Sequence, residues 1–285
     1  MVNPTERRKR LRSQLQSDTC IRPASIFDPL SGRIAQQIGF EIGMLGGSVA
    51  SAVLLGAPDV AVMTLTELAG QGARIGRACN VSMVVDADDG YGNALNAMRT
   101  VRELESAGAS GLTIEDTVLP RSFGAGNAER LVSAGEMNAK LSAAVAARQD
   151  QETVIFGRTH AINAENLDSA IERVRSYSQT GVDGIFLMGV TTVEQLKALN
   201  RASSLPLMLG TTPWSLDNDT LASNGVRIVL RGHTTLGATV WGIHQALSAQ
   251  VDGDSGRETE LQPPSELMDI ATGKGTYNEW GSKYL

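Results

Sequence analysis

Short apolar runs alternate with longer amphipathic stretches along almost the whole chain. The runs hold three to seven residues and are continuous rather than alternating in hydrophobicity, which is typical of strands buried on both faces of a parallel sheet. The predicted strands are Ile21–Phe27, Ile42–Leu45, Met83–Asp86, Gly111–Glu115, Thr153–Gly157, Gly184–Met188, Leu207–Leu209 and Arg227–Leu230.

The stretches between these runs carry apolar residues at helical spacing. In one of them Leu95, Met98 and Val101 recur at every third position, which predicts a helix with one apolar stripe. The predicted helices are Ser31–Ile38, Thr66–Ala78, Asn93–Ala107, Ala134–Arg148, Asn166–Thr180, Val193–Ala202, Leu216–Ser223 and Thr235–Ala249. The pattern therefore gives eight strand–helix units.

Four glycines mark the passage from a helix to the next strand, namely Gly39, Gly108, Gly181 and Gly225. Glycine suits the left-handed conformation that follows a helix, and serial strand–helix units need such turns. We therefore predict a (β/α)8 TIM-type barrel. A doubly wound open sheet is the alternative, because periodicity alone does not distinguish a closed sheet from an open one.

The last part of the chain differs in composition from the repeating units. Glycine and proline become frequent after Val251, and a short helix is predicted at Ser265–Ala271. We expect residues 1–250 to form the barrel together with an N-terminal helix, and residues 251–285 to form a C-terminal linker and helical extension.

Composition and charge narrow the class of protein. The chain has 285 residues, of which 42% are hydrophobic and two are cysteines, so it can bury a large core without disulfides. A formal net charge of −6 argues against a nucleic-acid binder. No apolar run reaches the roughly 20 residues that span a membrane. No signal-peptide core follows the basic run Arg7–Arg12. We therefore interpret the basic run as part of a solvated first helix. We expect a cytoplasmic protein that binds neither nucleic acid nor membrane.

Acidic residues follow two neighbouring predicted strands at their carboxyl ends, where parallel barrels carry their active sites. Asp86 and Asp88 end the third strand, and Glu115 ends the fourth. This all-oxygen cluster suits a hard cation such as Mg²⁺ or Mn²⁺. The alternative is that these carboxylates cap turns, because Asp-x-Asp-Asp-Gly is also a turn sequence.

Other polar residues end strands around the same predicted barrel mouth. Arg158 has the fork that matches a carboxylate, although a structural salt bridge would use the same group. His233 directly follows the eighth strand, and His160 is a weaker candidate of the same kind. Gly47 and Ser48 follow the second strand and offer backbone N–H groups and a hydroxyl to an anion, or form a plain turn.

The positions of the lysines exclude one class of mechanism. None of them ends a predicted strand, so a Schiff-base aldolase would lack its nucleophile. They are Lys9, Lys140, Lys197, Lys274 and Lys283. The chain also contains no Walker A sequence and no serine in a nucleophile-elbow sequence.

Several segments, in this order, resemble the isocitrate lyase/phosphoenolpyruvate mutase superfamily. They are Ile26–Pro29, Leu45–Ser51, Asp86–Asn93, Ile114–Asp116 and Gly157–Thr159, and the Asp-Ala-Asp-x-Gly-Tyr-Gly stretch is the most specific. Within the superfamily the chain is most similar to the oxaloacetate decarboxylase branch. That similarity rests on Leu45–Ser51, Ala57–Asp59, Leu119–Pro120 with Phe123–Gly124, and Gly232–His233.

The resemblance implies a barrel whose eighth helix is exchanged between subunits in a homotetramer, a dimer of dimers. It implies that Asp86 ligates Mg²⁺ directly. Residues implied to hold metal-bound waters are Asp59, Asp88 and Glu115, and those implied to contact a small dicarboxylate substrate are Gly47, Ser48, Arg158 and His233. Catalytic roles are implied for His233, Arg158 and Glu115.

The chain departs from the superfamily pattern at three places. The segment Pro120–Gly124 lacks the cysteine of the lyases that split isocitrate or methylisocitrate, which counts against those reactions. Asp89 stands where the decarboxylase branch usually has histidine, and His160 stands where it usually has asparagine. We expect both changes to alter the wall of the pocket.

The glycine-containing loop Leu119–Arg130 is expected to be a lid or an ordinary βα loop.

These observations together predict an oxaloacetate decarboxylase-like carboxy-lyase. With Mg²⁺, or Mn²⁺, it would convert oxaloacetate or a closely related α-keto diacid into pyruvate and CO₂ through a metal-stabilised enolate. His233 would either donate a proton or only a hydrogen bond. The alternatives are a carbon–carbon lyase acting on a substituted malate, a phosphonate mutase or hydrolase, and a non-catalytic barrel that binds a dicarboxylate.

Overall fold

The computed structural model describes residues 2–124, 126, 129–213 and 215–285, and within them eight strands form one parallel sheet. The strands are β1 (Ala24–Ser25), β2 (Ile42–Leu45), β3 (Ser82–Asp86), β4 (Gly111–Glu115), β5 (Val154–Thr159), β6 (Gly184–Leu187), β7 (Leu207–Leu209) and β8 (Val226–Val229). The helices are α1 (Pro4–Gln16), α2 (Pro29–Ile38), α3 (Gly47–Leu55), α4 (Leu65–Ala78), α5 (Ala94–Ser106), α6 (Ala134–Ala147), α7 (Ala161–Ala164), α8 (Leu167–Tyr177), α9 (Val193–Ala202), α10 (Asn218–Ser223), α11 (Thr234–Asp252), α12 (Ser255–Glu260), α13 (Ser265–Thr272) and α14 (Lys274–Tyr284).

Each strand pairs with the next strand along the chain, and the first and last strands meet through the segment before β1. The Ile21 amide donates to the Arg227 carbonyl at 3.1 Å, and the Val229 amide donates to the Ile21 carbonyl at 2.9 Å. This sequential order with closure is that of a (β/α)8 barrel, so the predicted fold class is confirmed and the doubly wound alternative is not observed.

Two strands differ from their predicted lengths in ways that affect the mouth of the barrel. β1 covers only Ala24–Ser25 of the predicted Ile21–Phe27, because Pro23 has no N–H to offer a ladder. β5 extends beyond the predicted end at Gly157 and includes Arg158 and Thr159. The side chain of Arg158 is therefore fixed by sheet pairing rather than carried on a loop.

The first helix is not the solvated helix that the basic run predicted. Arg8 is 6% exposed, and its guanidinium donates to the carbonyls of Ala109 and Glu105 at 3.1 and 2.7 Å and pairs with Asp150 at 2.7 Å. Leu11 on the same helix is fully buried. The arginines of α1 thus bind carbonyls at the amino-terminal end of the barrel, which composition alone could not indicate.

Two groups of buried apolar side chains form the core. The smaller group fills the barrel interior and is made by Leu11, Leu15, Ile42, Met44, Val84, Val154, Phe156, Phe186, Met208 and Ile228. The larger group lies between the sheet and the surrounding helices. Gly43 belongs to a strand at this interface, where an added Cβ would lie 2.7 Å from Ile26 Cδ1. The filled interior leaves the carboxyl end of the barrel as the place for a site.

The C-terminal region is more helical than the predicted linker. The helix α13 matches the predicted one closely and packs on α2, where Arg33 donates to the Ala271 carbonyl at 3.0 Å. The helices α12 and α14 were not predicted. Along the described part of the chain, none of the helices combines the length and the apolar character needed to cross a membrane.

Candidate active site

Strand register brings the predicted acidic and basic residues together at one edge of the barrel. Glu115 of β4 is the direct partner of Arg158 of β5, and Asp86 of β3 is the partner of Thr113 of β4. Arg158 Nη1 donates to both oxygens of Asp86 at 2.9 and 2.8 Å, while its Nε lies 3.1 Å from Glu115 Oε2. The guanidinium also lies over the Phe186 ring, 4.9 Å from its centroid.

Three aspartates converge on the start of α3, around Gly47. The position that a Cβ of Gly47 would occupy lies 3.1 Å from Asp88 Oδ1, 3.9 Å from Asp59 Oδ1 and 4.0 Å from Asp86 Oδ2. A side chain at Gly47 would fill this cradle of oxygens. Asp88 reaches it from a left-handed backbone conformation with φ of +46°, which aspartate tolerates better than most residues.

Electrostatics in the cradle favour a cation. Burial raises the pKa of Asp88, to about 8, and repulsion from Asp86 and Glu115 adds to the effect. Burial and Asp86 likewise raise the pKa of Asp59. Burial alone would raise the pKa of Glu115 too, but Arg158 and His160 outweigh it and lower that pKa. A divalent cation would relieve the repulsion that raises the aspartate pKa values.

The cradle fits Mg²⁺ better than it fits a metal that needs a complete protein cage. Within the described ranges, no group of three or more His, Cys, Asp or Glu side chains is arranged as a ready set of ligands. Mg²⁺ keeps several waters and is usually bound through only one or two carboxylates, so it does not require such a set. Asp86 Oδ2 faces the cradle, and a carboxylate has lone pairs to spare beyond its bonds to Arg158 and Thr113.

His233 lies across the mouth from the acidic strands, at the N-terminus of α11. Its Nδ1 is 2.7 Å from the Ser25 hydroxyl, and its Nε2 lies 2.9 Å from the position of a Cβ on Gly46. Burial lowers the pKa of His233, which favours the neutral ring. In the tautomer in which the Ser25 hydroxyl donates to Nδ1, the ring proton lies on Nε2. Ser25 was missed in the sequence because the apolar run around it gave no sign of chemistry.

The mouth of the barrel holds two adjoining cavities that share Asp59, Asp86 and Arg158. The carboxylate chamber, of about 440 Å³, is also lined by Asp88, Glu115, Thr117, Arg121, Glu129 and His160. The His233 chamber, of about 150 Å³, is also lined by Ser25, Gly46, Ser48, Phe186, Met188, Thr211 and His233. The described residues that line the two chambers include no lysine or cysteine. Every predicted site residue lines a chamber except Gly47, which borders the cradle.

Two of the three departures from the superfamily pattern, His160 and Asp89, were expected to alter the pocket wall, and the structure gives them different outcomes. His160 does line the carboxylate chamber, with Nε2 at 3.1 Å from Glu115 and Nδ1 at 3.3 Å from Glu129. Burial lowers the pKa of His160, but the hydrogen bond to Glu115 and the negative charges of Glu115 and Glu129 together outweigh burial, so that the pKa is raised. The imidazolium form then donates to both glutamates. Arg158 Nε lies 3.1 Å from both His160 Nε2 and Glu115 Oε2. Because Nε2 of an imidazolium carries a proton and cannot accept, Arg158 Nε then donates to Glu115.

Asp89 is not part of the pocket wall, so that expectation was wrong. Its carboxylate accepts from the Tyr91 amide at 2.9 Å and lies 3.6 Å from Lys140 Nζ on α6. These two groups turn Asp89 away from the chambers. The pairing of Lys140 with Asp89 could not be predicted from the sequence, because a lysine on a helix is normally exposed to solvent.

A buried carboxylate braces the carboxyl end of β5 from the outer side of the sheet. Asp116 is fully buried and accepts from the Thr159 hydroxyl at 2.6 Å, the Tyr177 hydroxyl at 2.8 Å and the His160 amide at 3.1 Å. Arg173 pairs with it at 3.3 Å. Because side chains alternate along a strand, Asp116 fixes the outward residues while Glu115 and Arg158 face the chambers.

Loop residues 119–130 border the carboxylate chamber through Leu119, Pro120, Arg121 and Glu129. Part of the predicted lid, namely Ala125, Asn127 and Ala128, lies outside the described residues, so the lid stays a prediction.

Comparisons with known proteins identify the family of the chain and agree with its fold. The family model described as phosphoenolpyruvate phosphomutase matches residues 11–251. A protein of Rhodopseudomonas palustris (strain TIE-1) named oxaloacetate decarboxylase is 48% identical over 281 residues, which cover 98% of this chain and 97% of that protein. An oxaloacetate acetylhydrolase in complex with 3,3-difluorooxalacetate superposes with a TM-score of 0.86 at 25% identity, covering 99% and 98% of the two chains. A phosphonopyruvate hydrolase complex with oxalate and Mg²⁺ superposes with a TM-score of 0.87 at 25% identity, which covers 98% of this chain and 99% of that chain.

Proposed function

The chain belongs to the phosphoenolpyruvate phosphomutase family, and we propose that it is a Mg²⁺-dependent decarboxylase of oxaloacetate or a closely related α-keto diacid. Its relatives make it a lyase-type enzyme, which leaves the non-catalytic barrel without support. The observation that carries the proposal is the cradle of aspartate oxygens at Gly47, held beside Arg158 and facing His233. Decarboxylation of a β-keto acid needs a sink for negative charge and no covalent nucleophile, which suits chambers without lysine or cysteine.

We propose that Asp86 holds Mg²⁺ directly and that Asp59, Asp88 and Glu115 hold its waters. When bound, Mg²⁺ would supply a Lewis acid for the oxygen on which negative charge develops. Glu115 is suited to accept hydrogen bonds from waters, because its lowered pKa keeps it ionised. Arg158 holds Asp86 and Glu115 on one guanidinium and so fixes the spacing between them.

Arg158 and the N-terminus of α3 are suited to hold the substrate carboxylate next to the keto group. Gly47 and Ser48 occupy the first turn of α3, where backbone N–H groups attract anions, and Ser48 adds a hydroxyl that lines the His233 chamber. Arg158 adds a positive charge at the boundary of the two chambers. The distal carboxylate is then free to leave as CO₂.

His233 is suited to act on the product side of the reaction. Breaking the C3–C4 bond releases CO₂ and leaves the electron pair as an enolate, and a proton at C3 then gives pyruvate. The Nε2–H of neutral His233, oriented by Ser25, can donate a hydrogen bond to the enolate oxygen or a proton to C3. Oxaloacetate labelled stereospecifically with tritium at C3 and decarboxylated in D₂O separates these roles: proton delivery by His233 gives a CHDT methyl group of one configuration, whereas a His233→Gln variant gives a racemic one.

A substrate panel tests the proposal against a second candidate, the cleavage of a substituted malate. That candidate is favoured by the pair His160–Glu129, which adds acid groups to the carboxylate chamber. The purified enzyme with Mg²⁺ should release pyruvate from oxaloacetate far faster than Mg²⁺ alone does. Turnover of 2-hydroxy diacids or of phosphonopyruvate without turnover of oxaloacetate would contradict the proposal.

We also propose that the enzyme is a homotetramer in which α11 is exchanged between subunits. Along α11 only Ala249 is buried, whereas Val240, Trp241 and Leu247 are 60%, 63% and 56% exposed. A groove of about 440 Å³ runs beside α2, lined by Leu30, Ile34, Ile38 and other residues. An apolar helix and an apolar groove on the same chain suit a second copy of that chain.

Light scattering tests the assembly. We expect a tetramer for the wild type and smaller species for Trp241→Asp, because a charge on the apolar face of α11 opposes its burial. A monomeric wild type at micromolar concentration would contradict the exchange.

A further inference from the structure

The turn that carries Asp88 is tied to a buried lysine outside both chambers. Lys140 lies on α6, the side chain is 2% exposed, and Nζ is 3.6 Å from Asp89 Oδ2. In the described ranges Asp89 supplies the only carboxylate within 4.0 Å of this ammonium. Pairing with a buried ammonium restrains that carboxylate, because both side chains are largely shielded from water and loss of either partner would leave a buried charge uncompensated.

Asp89 passes this restraint to the backbone of the turn. Its other oxygen, Oδ1, accepts from the Tyr91 amide at 2.9 Å. The turn needs such restraint, because Asp88, Gly90 and Tyr91 all have positive φ, at +46°, +85° and +62°. Positive φ is disfavoured for residues with a side chain, so the surrounding contacts must hold Asp88 and Tyr91 in this conformation.

The conformation of the turn sets the position of Asp88 in the cradle. Asp88 Oδ1 lies 3.1 Å from the Cβ position of Gly47, and the Asp88 carbonyl accepts from the Glu115 amide at 2.8 Å. Lys140 thus stabilises, through Asp89, the position of Asp88. Two of the proposed water-holding carboxylates depend on that position: the carboxylate of Asp88 itself and that of Glu115, whose amide is bound by the Asp88 carbonyl.

We propose that Lys140, through Asp89, is a positioning residue for divalent-metal binding at the Asp86–Asp88 cradle. The inference rests on the proposed function, because it takes the cradle to be the Mg²⁺ site. It assigns a role to a lysine that touches neither substrate nor metal. It also gives Asp89 a task other than shaping the pocket wall.

The test is the dissociation constant of Mg²⁺, measured by titration calorimetry on the full-length enzyme with saturating oxalate. Lys140→Met is expected to raise this constant by about 10- to 100-fold, the usual effect of losing a group that orients a metal-binding residue. At saturating Mg²⁺ the turnover number should stay within a few-fold of wild type, because the reacting groups are unchanged. Lys197→Met, at an exposed position on α9, is the matched control and should leave the constant unchanged.

A second variant covers the case in which Lys140→Met does not fold. Asp89→Asn keeps the size of the side chain and its bond to the Tyr91 amide but weakens the pairing with Lys140, so a smaller rise in the constant is expected. The double variant Asp89→Asn/Lys140→Met, which leaves no unpaired charge, should recover thermal stability but not metal affinity.

The possible results separate the inference from the proposed function. Folded Lys140→Met or Asp89→Asn with wild-type Mg²⁺ affinity and lower stability would overturn the inference alone, because Lys140 would then serve only the fold. A wild-type enzyme that binds no Mg²⁺ would overturn the metal site and the inference together.

Discussion

Replacing Arg158 by lysine should remove most of the activity while the barrel stays folded. The guanidinium of Arg158 contacts Asp86 twice and Glu115 once, at 2.8 to 3.1 Å. A lysine keeps the charge but reaches one carboxylate rather than both. The loss of one or two charge-assisted hydrogen bonds costs about 3 kcal/mol. Since about 1.4 kcal/mol is worth a factor of ten, kcat/KM for oxaloacetate should fall about 100-fold.

The assay for Arg158→Lys is pyruvate release, coupled to lactate dehydrogenase at saturating Mg²⁺, with far-ultraviolet circular dichroism to check the fold. Arg99→Lys is the matched control, because Arg99 is exposed on α5 and pairs with Glu103 of the same helix at 3.7 Å. The control should retain wild-type kcat/KM. A folded Arg158→Lys enzyme with kcat/KM within threefold of wild type would refute the reasoning, because one ammonium group would then replace the guanidinium that contacts Asp86 and Glu115.

Three further predictions test the groups around the site. Ser25→Ala should lower kcat about fivefold, because one hydrogen bond worth about 1 kcal/mol orients His233; an unchanged kcat in the coupled assay would contradict that role. Tyr177→Phe removes one donor to the buried carboxylate of Asp116 and should lower the free energy of unfolding, measured in urea, by about 1 to 3 kcal/mol. An unchanged free energy of unfolding would contradict this, because the other donors would then satisfy Asp116. Burial raises the pKa of Cys20 to about 11, so a disulfide reagent at pH 8 should label it only after unfolding, and rapid labelling of the folded protein would be inconsistent with its burial.

The sequence predicted the fold well because the strands and their order depend on local pattern. Continuous apolar runs marked every strand, and glycine turns marked the passage from helix to strand. The errors lie where tertiary contacts decide the outcome. Arg8 on α1 was expected in solvent but binds buried carbonyls, and the strand at Ile21–Phe27 is interrupted at Pro23.

The site was predictable only as far as its residues end strands. Asp86, Glu115 and Arg158 come together because parallel strands in register bring their carboxyl ends together. Ser25 and Lys140 could not be found in this way. Their roles depend on distances between segments far apart in the chain, from Ser25 to His233 and from Lys140 to Asp89, which a one-dimensional pattern does not contain.

The dependence of oxaloacetate decarboxylation on free Mg²⁺ tests the central claim most directly. Wild-type enzyme stripped with a chelator should lose its activity and regain it as Mg²⁺ is added back, whereas Asp86→Asn should stay at the rate of Mg²⁺ alone over the same range. Full activity of the wild type in excess chelator, or of Asp86→Asn in Mg²⁺, would contradict the account.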